Sequence, residues 1–215
     1  MLMKIFKDRQ SAGKLLAKRL THFIDDRRLI VLGIPRGGVV VAKEVANRLN
    51  LPLDIVVTRK IGHPDQPELA LGAVDADGEV VWDEDIVGEV GGVGEVGEIV
   101  KKEIEEIQRR EKLYRHGREL LDIKDKVVIM VDDGIATGAT TLAAINYLKR
   151  HGAKQIILAT PVASKQAVDR VIREMGEIGE VVVLETPSYF QAVGQFYYEF
   201  GEVTDEEVIK YLKHE

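Results

Sequence analysis

The sequence predicts an α/β protein built on a doubly wound, mostly parallel sheet. Short continuous apolar runs, such as LIVLGI at 29–34 and VVIMV at 127–131, are typical of strands that are covered on both faces. Stretches with apolar residues at helical spacing separate these runs. Strands that alternate with helices in this way form βαβ units, and the strands of such units lie parallel in one sheet.

The first elements can be placed in order along the chain. Residues 8–26 carry apolar side chains at helical spacing, with Lys and Arg between them, and predict a helix. Residues 29–34 predict the first strand, and the turn PRGG follows it. Residues 39–49 then predict a second helix, and LDIVVTRKI at 53–61 predicts the second strand, which completes a βαβ unit.

An insertion interrupts the alternation between residues 62 and 121, within what we interpret as a single domain spanning residues 1–215. The turn sequence DADG at 75–78 lies between two apolar stretches and predicts a hairpin. The glycine-rich stretch GEVGGVGEVG at 88–97 contains a formal GxGxxG pattern, which marks a dinucleotide site only where it follows a strand. No convincing strand precedes it, so we interpret this stretch as a flexible joint. Residues 98–121 predict a long charged helix with one apolar face.

The alternation resumes after Lys126 and continues toward the C-terminus. The expected strands are 127–131, 155–160 and 180–185, and the expected helices are 141–150 and 165–175. An aromatic stretch, SYFQAVGQFYYEF, follows them. Thr204 with Glu207 three residues later predicts a capping box at the start of a last helix.

The composition excludes several classes of protein. The chain has 215 residues and no cysteine, so disulfides, thiolate zinc sites and a cysteine nucleophile are excluded. A net charge of -6 argues against binding nucleic acid, which needs a concentrated basic surface. No stretch approaches the roughly 20 apolar residues of a membrane helix, and the N-terminus turns charged too early for a signal peptide. We therefore expect a cytoplasmic protein. The few asparagines beside abundant Glu and Lys favour a thermophilic source.

The stretch VVIMVDDGIATGATT at 127–141 carries the chemistry. Asp132 and Asp133 follow an apolar strand directly, and ligands of open α/β sheets bind beyond the carboxyl ends of the strands. Small residues then lead into a helix, whose N-terminus can bind an anion with help from the hydroxyls of Thr137, Thr140 and Thr141. Two carboxylates repel a phosphate, so they need another partner, either vicinal sugar hydroxyls or a metal ion. The pattern thus predicts a sugar phosphate as ligand.

This stretch resembles the signature of type I phosphoribosyltransferases. These enzymes use 5-phosphoribosyl-1-diphosphate (PRPP) with Mg²⁺ and transfer its phosphoribosyl group to a nitrogen acceptor, commonly a nucleobase. The resemblance covers residues 29–185 and implies that Asp132 and Asp133 hold the ribose 2′- and 3′-hydroxyls. The implied 5-phosphate site comprises Ala136, Thr137, Gly138, Ala139, Thr140 and Thr141.

The same resemblance implies a pyrophosphate site at the end of the first strand. It consists of Pro35, Arg36, Gly37 and Gly38. Arg59 and Lys60 lie where the second strand leads into a loop, another place where the family contacts pyrophosphate. Arg36, Arg59 and Lys60 are thus implied as the catalytic cations, residues 62–73 as a lid, and Mg²⁺ as an ion held mainly by PRPP.

The acceptor stays open. Family members that act on 6-oxopurines usually carry a third acid at the position of Ala136, so hypoxanthine and guanine are disfavoured, whereas adenine-type and orotate-type enzymes tolerate a small residue there. The insertion and the aromatic tail lie outside the well-known nucleotide-salvage patterns. They resemble those of phosphoribosyltransferase-like proteins from bacteria and archaea.

Two other functions fit the pattern less well. A PRPP or nucleotide sensor without catalysis would keep the phosphate turn, but it would not need Arg36, Arg59 and Lys60. A hydrolase with Asp132 as nucleophile would need a lysine and further acids at later strand ends, where the sequence offers Lys165.

Some residues have two interpretations. His63 could act as an acid or base, although a lone loop histidine is usually structural or solvated. The aromatic residues of the tail could stack on a base, or they could pack in the core or in a homodimer interface, since dimers are common in the resembled family. These residues are Tyr189, Phe190, Phe196 and Tyr197.

Overall fold

A five-stranded parallel sheet forms the centre of the computed structural model, which describes residues 5–66, 69–83 and 93–213. Its strands are β1 (Leu29–Gly33), β2 (Leu53–Ile55), β6 (Val127–Val131), β7 (Gln155–Val162) and β8 (Gly179–Glu185). They lie in the order β2-β1-β6-β7-β8. A second, antiparallel sheet consists of β3 (Arg59–Gly62), β4 (Ala70–Val74) and β5 (Val80–Trp82).

Helices cover both faces of the parallel sheet. They are α1 (Arg9–Arg19), α2 (Gly37–Leu49), α3 (Val93–Tyr114), α4 (Ala139–Arg150), α5 (Lys165–Met175) and α6 (Asp205–Leu212). Short 3₁₀ helices span Thr21–Phe23, Gly176–Ile178 and Val193–Phe196. Within the described ranges, no helix has both the length and the apolar character needed to cross a membrane.

The continuous apolar runs of the sequence reflect burial on both faces of the sheet. Leu29 and Val31 of β1 pack into a core with α1, α2, α3 and α6. The alternate residues Ile30 and Leu32 pack into a second core with α4 and α5. Because successive side chains of a strand point to opposite faces, both sets must be apolar. The prediction of a doubly wound α/β fold is confirmed.

The hairpin predicted at DADG is also confirmed. Val74 pairs with Val80 across the turn, and Asp75 holds the turn from inside. Its Oδ1 accepts the N–H groups of Asp77 at 3.0 Å and Glu79 at 3.1 Å, and its Oδ2 accepts a bond from Arg150 at 2.7 Å. Local hydrogen bonds of this kind are the reason why aspartate favours turns.

The prediction of one strand over residues 53–61 is wrong. β2 ends at Ile55, and the chain enters the second sheet at Arg59. The reason is the length of the neighbouring strand: β1 ends at Gly33, which pairs with Ile55 and accepts the N–H of Val56 at 3.2 Å, so the parallel pairing with β1 stops there. From Arg59 onward the chain pairs with β4 instead.

The prediction of a flexible joint at residues 88–97 is wrong for the second half of that stretch. Residues 93–97 belong to helix α3, whereas residues 88–92 lie outside the described residues. A glycine costs a helix about 1 kcal/mol, and the apolar side chains of Ile99, Ile104 and Ile107 on the core face of α3 offset that cost. The helix ends at Tyr114, before the predicted 121, because His116 and Gly117 have left-handed backbones with φ of 51° and 76°.

Candidate active site

Two turns meet at the carboxyl edge of the parallel sheet. Asp132 and Asp133 follow β6, and the turn PRGG follows β1, its neighbour in the sheet. A Cβ on Gly37 would lie 2.0 Å from Asp133 Oδ2, and a Cβ on Gly38 would lie 2.9 Å from Asp132 Cα. Contacts this close require glycine at both positions. The peptide bond between Pro35 and Arg36 is cis.

The phosphate turn, residues 134–141, is held from two sides. On one side, Ser164 Oγ donates to the carbonyl oxygen of Ala136 at 2.6 Å. On the other, Thr58 Oγ1 donates to the carbonyl oxygen of Thr140 at 3.2 Å. Gly138, with φ of 83°, directs the chain into α4. The turn therefore presents the free N–H groups of a helix N-terminus in a fixed arrangement, which suits an anion.

A cavity of about 380 Å³ opens in front of this turn. The described residues that line it are Lys60, Leu69, Ala70, Asp83, Asp132, Gly134, Ile135, Val193 and the turn residues Ala136, Thr137, Gly138, Ala139, Thr140 and Thr141. It is thus lined by two aspartates, a lysine and the turn that was predicted to bind phosphate. Thr141 Oγ1 is fully buried and has no hydrogen-bond partner among the described residues.

The other predicted cations lie apart from this cavity and face acids. Arg36 forms ion pairs with Glu202 and, at 3.7 Å, with Asp205. The Nε of Arg59 lies 2.6 Å from Glu103 Oε2 on α3. Within the described ranges, the residues that line the cavity do not include Arg36, Arg59 or Asp133.

The two aspartates differ in their surroundings. Asp132 Oδ1 accepts the backbone N–H of Asp133 at 2.8 Å. Burial of the Asp132 carboxyl, together with the adjacent charge of Asp133, raises its pKa well above the ordinary value. Within the described ranges, no group of three or more His, Asp or Glu side chains is placed to hold a metal ion by itself.

Asp133 has partners that the sequence analysis missed. Arg9 Nε donates to Asp133 Oδ2 at 2.6 Å, and the hydroxyl of Tyr197 donates to the Asp133 carbonyl oxygen at 2.6 Å. The guanidinium of Arg9 also lies 3.7 Å above the centre of the Phe200 ring. Arg9 is one of many basic residues in a charged helix, so no local pattern distinguishes it.

The structure decides between the two interpretations for some of the aromatic residues of the tail. Phe196 and Tyr197 are buried and pack with Phe6, so these two belong to a core. Tyr189 is 59% exposed, and its stacking on a base stays a prediction. His63 Nδ1 accepts the N–H of Asp65 at 3.1 Å, a contact within its own loop.

Comparison with known proteins shows which family this chain belongs to. Residues 5–178 match the phosphoribosyl transferase domain. A Mycobacterium tuberculosis protein, named provisionally as a phosphoribosyl transferase, is 44% identical over 211 residues, which are 98% of this chain and 47% of that protein. This chain therefore spans about half the length of the curated relatives that it matches over nearly all of its sequence.

Solved structures agree with this assignment. The Thermus thermophilus protein TT1426 is 41% identical, with 97% of each chain covered and a TM-score of 0.77. An Aquifex aeolicus protein, AQ2163, is 11% identical over 82% of this chain and 73% of its own, with a TM-score of 0.51, and shares the fold. On the domain match and the 44% identical relative, this chain belongs to the phosphoribosyltransferase family.

Proposed function

We propose that this protein binds PRPP with Mg²⁺ and transfers its phosphoribosyl group to a nitrogen acceptor, with release of pyrophosphate. One observation carries the proposal: a single cavity is lined by Asp132, Lys60 and the residues at the N-terminus of α4. A sugar phosphate needs these three kinds of group, since hydroxyls donate to a carboxylate and phosphate oxygens accept from N–H groups and cations.

The 5-phosphate would bind in the turn from Ala136 to Thr141. The N–H groups at the start of α4 donate to its oxygens, and the helix dipole adds a favourable field. The buried hydroxyl of Thr141 would gain an acceptor in the same place. With the phosphate there, the ribose extends toward Asp132, whose carboxylate accepts bonds from its hydroxyls.

In the reaction, the bond between ribose C1 and the diphosphate oxygen breaks, and a bond from C1 to the acceptor nitrogen forms. The diphosphate leaves with the electron pair of the broken bond and takes up the proton that the nitrogen loses. Negative charge grows on the leaving group, so cations that face it lower the barrier. Lys60 lines the cavity, and Arg36 and Arg59 would reach the diphosphate by exchanging their acid partners for its oxygens.

Mg²⁺ fits this site as an ion carried by PRPP. The described residues offer single carboxylates and no three-acid cluster, and Mg²⁺ keeps water and phosphate oxygens as ligands readily. Diphosphate oxygens would supply most of its ligands. When bound, the ion would offset part of the charge on the leaving group.

We propose a nucleobase as the acceptor. Ala136 places no acid at the position where 6-oxopurine enzymes of the family carry one, so hypoxanthine and guanine are not expected to react. The lid expected over residues 62–73 is too long, because Gly62 ends β3 and residues 70–73 lie in the paired and largely buried strand β4; the loop between the two strands is proposed as the lid that excludes water from the site. Residues 67 and 68 of this stretch lie outside the described residues.

One observation favours a second candidate, a PRPP sensor without catalysis. Arg36 and Arg59 are both engaged by acids of the same chain, Glu202 and Glu103. A protein that only binds PRPP would not need to free these side chains for the leaving group.

The test is calorimetric titration of PRPP with Mg²⁺ present, followed by a pyrophosphate-release assay over a panel of nucleobases. Wild type is compared with the double variant Asp132→Asn, Asp133→Asn. The matched control is Asp122→Asn, Asp125→Asn, which removes the same charge before the start of β6.

Three results are distinguishable. Binding that the site variant loses and the control keeps, together with pyrophosphate release for one of the bases, supports the proposed transfer. The same binding without release for any base favours the sensor. A wild type that does not bind PRPP contradicts both functions.

A further inference from the structure

We infer that Arg9 is a positioning residue for the aspartate pair Asp132–Asp133: its bond to Asp133 Oδ2 fixes the carboxylate next to Asp132, which lines the cavity. The inference rests on the proposed function only for the identity of the ligand. The contacts of Arg9 itself are properties of the chain.

Three contacts fix the Arg9 guanidinium. Its Nε donates to Asp133 Oδ2 at 2.6 Å, its Nη1 donates to the carbonyl oxygen of Gly201 at 2.8 Å, and its plane lies 3.7 Å from the centre of the Phe200 ring. The side chains of Arg9 and Asp133 are only 12% and 14% exposed. A charge-assisted bond in such a place is stronger than a surface ion pair and orients both groups.

Segments near the two ends of the chain pair with each other and surround the Arg9 side chain. Phe6 forms a parallel bridge with Tyr197, and the N–H groups of Tyr198 and Glu199 donate to the carbonyl oxygens of Phe6 at 2.9 Å and Lys7 at 2.8 Å. Arg9 then opens helix α1, whose cap Asp8 bonds to Ser11 in both directions. The backbone on each side of Arg9 is therefore fixed.

Some of the residues that contact Arg9 and Asp133 lie beyond the region that matches the family. The match to the phosphoribosyl transferase domain ends at residue 178, whereas Tyr197, Phe200 and Gly201 follow it. The contact between Arg9 and Asp133 is therefore supported by a tail that this chain adds to the matched domain.

The position of Arg9 also has an electrostatic consequence. Among the described residues, the charged and titratable groups near the aspartates are Arg9 from α1, Lys60 from β3, which lines the same cavity as Asp132, and Tyr197 from the tail. Burial raises the pKa of Tyr197, so it stays a neutral donor. Arg9 is the cation in direct contact with the pair. It opposes the repulsion that raises the pKa of Asp132, and without it the pair would hold a proton at higher pH. A protonated carboxyl accepts sugar hydroxyls less well than a carboxylate.

The experiment compares wild type with Arg9→Gln and Arg9→Lys. Arg28→Gln is the matched control, because Arg28 forms an ion pair of the same length, 2.6 Å, with Asp26 on the exposed surface. The first measurement is a carboxyl ¹³C NMR titration of aspartate-labelled protein without ligand. We expect Arg9→Gln to raise the pKa of Asp132 further, because the cation that opposes its protonation is lost, and Arg28→Gln to leave it unchanged.

The second measurement is the affinity for PRPP with Mg²⁺. We expect Arg9→Gln to weaken binding about tenfold at pH 7, and more at pH 6, as for the loss of one charge-assisted bond. Arg9→Lys keeps the charge but not the planar fork, so it should keep the titration close to wild type and recover only part of the affinity. Arg28→Gln should bind as wild type does.

The outcomes separate the two proposals. If wild type binds PRPP, an unchanged affinity in folded Arg9→Gln overturns the role of Arg9. If Arg9→Gln does not fold, Arg9→Lys decides in its place, and a wild-type affinity there overturns the role. If wild type does not bind PRPP, the proposed function fails, and the titration alone decides: a raised pKa of the pair supports positioning by Arg9, and an unchanged pKa overturns it.

Discussion

The charged side chains around the site are paired within the chain. Asp133 pairs with Arg9, Arg36 with Glu202, and Arg59 with Glu103. A phosphorylated ligand at the proposed site would therefore compete with carboxylates for Arg36 and Arg59, and its affinity would reflect an exchange of partners rather than the capture of free cations. Glu202 is the weakest of these competitors, because its side chain is 77% exposed and water can replace Arg36 around it.

Removal of Glu202 should therefore strengthen the binding of PRPP. We expect Glu202→Gln to lower the Kd about two- to fivefold, which corresponds to the small free energy of an exposed ion pair. Isothermal titration with Mg²⁺ present measures it. Glu199→Gln is the control, since it removes the same charge from an exposed position of the same tail. Equal effects of the two variants would show that general charge, and not release of Arg36, sets the affinity.

The contact between the two turns should not tolerate a methyl group. A Cβ on Gly37 would lie 2.0 Å from Asp133 Oδ2 and 2.8 Å from Arg9 Nε. We expect Gly37→Ala to displace Asp133 and to weaken PRPP binding by at least tenfold, measured by calorimetry. In Gly97→Ala, the new Cβ meets no atom of the described residues within 4 Å, so this helical control should bind normally and unfold at slightly higher urea. Normal binding by Gly37→Ala would argue against a ligand on these turns.

At the level of elements, the sequence predicted those parts of the fold that depend on local pattern. Strand β6 and helix α5 begin and end as expected, because an apolar run and a helical period leave little choice. The capping box of Thr204 and Glu207 also forms. The break between β2 and β3 was not predictable, since it depends on where the neighbouring strand β1 stops, and residues 53–61 carry no turn signal.

The inserted helix α3 is tied to the parallel sheet just beyond its C-terminal end. Arg115, next after the helix, donates to Asp54 of β2 at 3.0 Å and to the carbonyl oxygen of Ile55 at 2.8 Å. Asp54 also accepts the N–H of Leu121 at 3.0 Å. The side chains of Arg115 and Asp54 are 6% and 9% exposed, and Arg115 also pairs with Glu111 at 2.9 Å, so the buried guanidinium faces two carboxylates.

Loss of this buried pair should therefore destabilise the protein strongly. We expect Asp54→Asn to lower the free energy of unfolding by about 2 kcal/mol, because the buried Arg115 charge loses the more buried of its two carboxylate partners and keeps Glu111, at 2.9 Å, as the other. Urea denaturation measures the loss, and amide exchange in α3 should become faster than in β6. Asp26→Asn, which breaks the exposed pair with Arg28, serves as the control and should change stability little. A similar small effect of Asp54→Asn would mean that Glu111 alone is a sufficient counterion for Arg115.

At the scale of the whole molecule, the site combines segments that are far apart in sequence. Arg9 and Asp133 are separated by 124 positions, Tyr197 and Asp133 by 64, and Arg36 and Glu202 by 166. A single sequence contains no signal for such pairs, because each side chain is locally an ordinary charged or aromatic residue. The positions of Asp132 and of the turn after it were predictable, because one continuous stretch, residues 127–141, contains both the strand and the residues of the turn. Their partners from the chain ends were not.

The raised pKa of Asp132 implies that the site lowers the stability of the whole protein at neutral pH. A carboxyl whose native pKa exceeds its unfolded value contributes stability at low pH, and this contribution is lost as the pH rises through the native pKa. Glu106 behaves in the opposite way. Hydrogen bonds from Arg109 and Arg110 lower its pKa to about 2, so its contribution is present above about pH 4.5 and is lost as the pH falls toward 2.

Asp132→Asn should therefore stabilise the protein while it abolishes PRPP binding. We expect its thermal midpoint to exceed that of wild type by about 2–4 °C at pH 7, the shift for about 1 kcal/mol in a chain of this size. The difference should shrink as the pH falls toward 4, because Asp132 of the wild type then becomes protonated and uncharged. Glu106→Gln should instead melt below wild type at pH 7 and approach it near pH 2. Calorimetric scans from pH 2 to pH 8 test both signs. An Asp132→Asn protein that is less stable than wild type at pH 7 would mean that the ionised pair, with Arg9 beside it, supports the fold as well as the site.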